Sequence, residues 1–154
     1  MMIDLDEVQA YIESQPIGTK VYVGCDSEKV KKIFADYVLV IVVHIAGNKG
    51  CKIFGEVQRE RVYDKGNKSQ RLRLMNEVYK ASELFLKLAE YIDVDEYGVE
   101  VHLDLNPDAR FVSSAVVNEA IGFIKGVCQV QPLIKPQAWA ASTAADNYKR
   151  VMCA

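Results

Sequence analysis

Val99-Glu-Val-His-Leu-Asp-Leu-Asn106 is the stretch on which the reading of this chain turns. In an extended strand Val99, Val101, Leu103 and Leu105 share one face, and Glu100, His102, Asp104 and Asn106 share the other. Helical periodicity flanks it on both sides. Upstream, Leu74, Val78, Ala81, Phe85, Leu88 and Ile92 form one stripe of a helix expected over about 69–92. Downstream, a second helix is expected over about 113–127, ending near Gly126. Strands joined through helices run parallel and lie inside a sheet. A fully polar face is unexpected there, and an edge strand with one solvated face is the competing reading.

Working outward, Leu5, Val8, Tyr11 and Ile12 predict a short amphipathic helix over 4–14, stopped by Gln15-Pro16-Ile17-Gly18. Strands follow at about 20–26, 36–45 and 51–61, the last two joined by the turn signal Gly47-Asn48-Lys49-Gly50 and so antiparallel. Tyr37 to Ile45 is almost continuously apolar, which predicts cover on both faces. Residues 62–68 read as a loop. A fifth strand is expected at about 129–135, closed by Pro136, and a last helix at about 138–152. The order predicts an α/β fold: a mixed five-stranded sheet, three N-terminal strands then αβαβα, with helices on both faces. One domain is expected over 1–154, with 1–18 as a short N-terminal helical extension.

The 154 residues carry a net charge of -2, and the pI is near 5.7. That balance argues against a protein held on nucleic acid by a general basic surface. It leaves room for an enzyme that grips phosphates through metal ions and a local basic strip. No secretory leader is visible, and the longest apolar run is too short to span a membrane. Cys25, Cys51, Cys128 and Cys153 have neither zinc nor CxxC spacing, so a reducing, cytoplasmic setting is expected.

Four carboxylates carry the chemistry. Asp26 ends Val21-Tyr-Val-Gly-Cys-Asp26, and Asp104 lies within the strand quoted above. Burying ionised carboxylates is costly unless something compensates them, and a divalent cation is the partner that tolerates several at once. Glu77 shares a helical seam with Leu74, Ala81 and Leu84, whereas Glu83 aligns with Asn76, Lys80, Lys87 and Glu90 on a solvated face. Asp146 closes Ala140-Ala-Ser-Thr-Ala-Ala-Asp146, whose small side chains let a helix approach a sheet closely. Each acid also has an ordinary reading: Asp26 capping a turn, Glu77 rimming the stripe, Asp146 paired with Lys149 or Arg150. His102 and Asn106 could orient water or a carboxylate, or serve structure alone. Lys135, Arg71 and Arg73 are candidate phosphate contacts.

The chain resembles the ribonuclease H-like superfamily and, more narrowly, the YkuK-like family. The likeness rests on Val-Tyr-Val-Gly-Cys-Asp-Ser at 21–27, His-Leu-Asp-Leu-Asn at 102–106, Lys-Pro at 135–136 and Ala-Ala-Ser-Thr-Ala-Ala-Asp at 140–146. It implies a first-strand Asp, a first-helix Glu, a fourth-strand Asp and a late acid binding two magnesium or manganese ions. Asp26, Glu77, Asp104 and Asp146 take those positions in order. The implied activity is two-metal phosphodiester hydrolysis of RNA, an RNA–DNA hybrid or structured DNA. Two other readings stay open. One is a non-catalytic module on the same fold that docks nucleic acid or protein. The other is a DEDD-type 3′–5′ exonuclease using Asp26 and Glu28, although Glu28 lies beside Lys29, Lys31 and Lys32 on what reads as a solvated end. The related actin-like ATPases need glycine-rich phosphate loops that this sequence lacks.

Overall fold

Strand β2 (Phe34–His44) organises the molecule because it is apolar on both faces and buried on both. The computed structural model describes residues 2–46, 49–62, 67–108, 116–135 and 137–152, the side chains of 67–69, 141–142 and 150–152 excepted. The other elements are α1 (Leu5–Glu13), β1 (Lys20–Val30), β3 (Cys51–Arg61), α2 (Asn67–Ala89), β4 (Glu100–Leu103), α3 (Val117–Cys128), a π-helical turn (Ala140–Ala144) and α4 (Ala145–Met152). The sheet order is β3-β2-β1-β4. β1, β2 and β3 are antiparallel neighbours, and β4 joins β1 in parallel.

Alternate side chains of the sheet feed two cores. Val21, Val23, Cys25, Leu39, Ile41, Val43, Val101 and Leu103 pack beneath α1, α2 and α3. Tyr22, Val38, Val40 and Val42 pack against Ala140, Ala144 and Ala145. The alanines keep the π-turn and α4 close to the sheet, as the run of small residues suggested. Each Val, Leu or Ile buried here contributes about 1.5–3 kcal/mol. Val8 and Ile12 of α1 are fully buried in the larger core. Gln9 also donates to the Tyr91 carbonyl at 2.8 Å, tying α1 to the exit of α2.

Four expectations are corrected. β1 does not stop at Asp26; it continues to Val30 because Val30 still pairs with Phe34 of β2. Its ladder with β4, however, ends at Cys25–Leu103, so Asp26 lies at the mouth of that parallel pair. β4 ends at Leu103, and the Asp108 N–H bonds the Asn106 side chain at 2.9 Å, turning the chain before it can extend further. The fifth strand shrinks to one parallel bridge, His102 with Leu133, so among the described residues the sheet has four strands and not five. α3 runs to Cys128 and closes on Gln129 in the left-handed region, leaving little chain to pair before Leu133. Pro132, which has no N–H, suits this outer edge. The last helix starts as a π-turn: the Ala140 N–H is drawn to His102 Nδ1 at 3.2 Å, while Thr143 and Ala144 N–H both reach the Trp139 carbonyl.

Among the described residues β4 is the last strand of the sheet, with only the Leu133 bridge beyond it, so the expectation of an interior strand is also corrected. Its polar face is nevertheless partly covered: His102 is 1% exposed beneath the π-turn, while Glu100 stays half-exposed. The turn residues Gly47 and Asn48, most of the 62–68 loop, the start of the 113–127 helix, Pro136 and Cys153 lie outside the described residues.

Candidate metal centre

The parallel register builds the site. Cys25 faces Leu103, so the next residues along, Asp26 and Asp104, emerge side by side where the ladder stops. They point away from Cys25 and Leu103, which enter the larger core. Ser27 has the opposite parity and turns toward α2. Its hydroxyl donates to Glu77 Oε2 at 2.5 Å, and its own N–H donates to Asp26 Oδ1 at 2.8 Å. Glu77 is 4% exposed on the packed side of α2. Asp26, Glu77 and Asp104 thereby offer oxygens that all lie within 4.8 Å of one another.

Two of these acids, Asp26 and Glu77, resist ionisation. Burial, then the charge of Asp104 and a hydrogen bond shared with it, push Asp26 up to about 8. Glu77 is also driven upward, first by burial and then by the Asp26 charge. The donor set is entirely carboxylate oxygen, which suits a hard cation such as magnesium or manganese; structural zinc favours thiolate and imidazole.

Two basic groups flank the trio. Lys135 Nζ stands 2.7 Å from Asp104 Oδ1. Arg73 donates to the Ser27 carbonyl at 3.0 Å and its hydroxyl at 2.9 Å, behind Glu77. Beyond Lys135 opens a cleft of about 700 Å³, walled by Asn106, Pro107, Asp108, Trp139 and Thr143.

A family model described as Ribonuclease H-like matches residues 4–150. The chain belongs to the ribonuclease H-like family. No curated protein and no solved structure gives a significant match.

Of the four acids that the ribonuclease H-like resemblance singles out, three converge. The fourth, Asp146, is exposed on the first turn of α4. It acts on Asp26 through its charge yet stands outside the 4.8 Å set. Lys149 does not pair with it, because that ammonium lies between Glu28 at 2.7 Å and Asp36 at 3.1 Å. Asp36 is buried and also gripped by Arg59 through two bonds, of 2.7 and 3.1 Å. Glu28 shares the Asp26 face of β1 but is tied into this pairing.

The remaining candidates divide. Arg71 points to Glu119 at 3.4 Å, away from the trio. Asn106 spends its side-chain carbonyl on the turn to Asp108. His102 accepts the Ala140 N–H at Nδ1, so Nε2 carries the hydrogen and faces Glu100 Oε1 at 3.4 Å. Its ring stacks on Tyr22 with centroids 4.8 Å apart, and burial lowers its pKa. That is the setting of a structural histidine. Sequence reasoning missed the roles of Ser27 and Trp139. Strand parity alone could have turned Ser27 toward α2, whereas nothing local in the sequence places Trp139 at the cleft.

Proposed function

We propose that this chain is a divalent-metal-dependent phosphodiester hydrolase acting on RNA, an RNA–DNA hybrid or structured DNA. The observation that carries the reading is the convergence of Asp26, Glu77 and Asp104 within 4.8 Å at the open end of the β1–β4 ladder. A bound magnesium or manganese ion would supply water activation and charge stabilisation at the phosphate. Asp26, Asp104 and, from α2, Glu77 would hold it, and Asp146 would add negative charge at the rim. Ser27, fixed by Arg73, orients Glu77. The cleft beside Lys135 is where the polynucleotide lies, with Trp139 as an apolar wall against which a base can rest. Glu28 is given a structural part, because Lys149 already engages it.

The test is a cleavage screen with hybrid, single-stranded, duplex and branched substrates, in magnesium or manganese, with Asp26→Asn as control. Metal-dependent cleavage lost in that variant supports the reading. A folded parent that binds nucleic acid and never cleaves it would assign the fold to docking. Loss of cleavage in Glu28→Gln would favour the exonuclease-like arrangement.

A further inference from the structure

Lys135 enters the acidic centre from a fixed position. Its N–H donates to the Leu105 carbonyl at 3.0 Å, which anchors the residue beside the chain that carries Asp104. From there the ammonium reaches Asp104 Oδ1 at 2.7 Å while its side chain stays 41% exposed. It also lines the cleft beside the centre. A single side chain therefore touches both a carboxylate of the trio and the space left for a substrate.

We propose that the centre takes one divalent ion, and that the Lys135 ammonium supplies the second positive charge and contacts a phosphate oxygen of the substrate. The substrate part rests on the hydrolase reading above; the ion count rests on geometry. Oxygens bound to one hard cation, each about 2.1 Å from it, stand up to about 4.2 Å apart. The three acids, within 4.8 Å of one another, close round one such position with little adjustment. A second ion about 3.5–4 Å away needs further oxygens on an outer side of the trio. On the Asp104 side that place is taken by Lys135. On the Glu77 side it is taken by Ser27 and Arg73. Asp146, the remaining acid, stands outside the set.

Calorimetric and paramagnetic titration of the full chain with manganese alone, without nucleic acid, counts the ions. One ion per chain is expected for the parent. Lys135→Ala frees the outer side of Asp104 and is expected to bind two, and Lys135→Arg, which restores the charge, to return to one. Circular dichroism checks that each variant is folded, which the exposure of Lys135 favours. Two ions in the parent overturn this proposal while leaving the hydrolase reading intact. One ion in both the parent and Lys135→Ala also overturns it, because the ammonium is then no substitute for a cation. A parent that binds no manganese overturns both readings.

Discussion

Asp26 ordinarily titrates near 3.9, and in the fold its carboxyl is held at about 8 by burial and by Asp104. The folded state therefore binds a proton that the unfolded chain has already released. Between those two values stability falls as pH rises. The metal-free protein is expected to melt at a lower temperature at pH 8 than at pH 5, and Asp26→Asn to remove most of that slope. A parent whose melting point in EDTA is flat over this range would contradict the closeness of the two carboxyls. In the presence of metal the same substitution should lower cleavage by more than about 100-fold, beyond the usual cost of disturbing a residue that only orients a ligand. Glu83→Gln serves as the matched control: Glu83 pairs with Lys87 on the exposed face of α2 at 2.9 Å, and cleavage should not change. Ser27 touches Glu77 and Arg73 without belonging to the trio. Ser27→Ala is expected to weaken manganese binding about 10–100-fold, read by calorimetry.

At the scale of elements, α4 is the piece whose placement depends most on distant contacts. Tyr148 lies over β3 at Gly55, and its hydroxyl donates to the Gly55 carbonyl at 2.6 Å. A Cβ at position 55 would stand 2.7 Å from the Tyr148 ring, so glycine is required there for close approach. Lys149, one residue on, is clamped by Glu28 and Asp36. Gly55→Ala should displace α4 and cost about 1–3 kcal/mol in urea unfolding. Tyr148→Phe keeps the ring and loses the hydrogen bond, for about 1 kcal/mol. A Gly55→Ala variant as stable as the parent would mean that the ring does not sit where the structure puts it. The helices and the β2–β3 hairpin were legible in the chain because periodicity and turn residues are local. The early end of β4 and the single bridge at Leu133 were not. Strand length depends on which neighbour is present to pair, and a run of suitable residues does not report its neighbour.

For the molecule as a whole, the proposed function implies that metal binding at the centre is coupled to folding. No helix among the described residues is long and apolar enough to cross a membrane. A ligand that binds only the folded state adds about 2.7 kcal/mol at a hundredfold excess over its dissociation constant. Manganese should raise the parent's melting point accordingly, and Asp104→Asn should abolish most of that rise. Because Lys135 already offsets Asp104, relief of repulsion in EDTA is expected from Asp26→Asn more than from Asp104→Asn. A parent indifferent to millimolar manganese would move the assignment to a binding module. The sequence by itself determined the α/β class, the order of the elements as far as α3 and the acidic character of the strand ends, because alternation, helical stripes and breakers act over a few residues. It also marked Glu77 as a packed-side acid, through its phase on α2. Only the tertiary structure decided that Asp26, Glu77 and Asp104 converge while Asp146 stays at the rim. It also turned His102 into a buried support for Ala140 and drew Lys135 onto Asp104. Those outcomes depend on strand register, on how closely α4 approaches the sheet, and on which charges the folded chain brings within a few ångströms. No stretch of residues contains such distances until the sheet has paired.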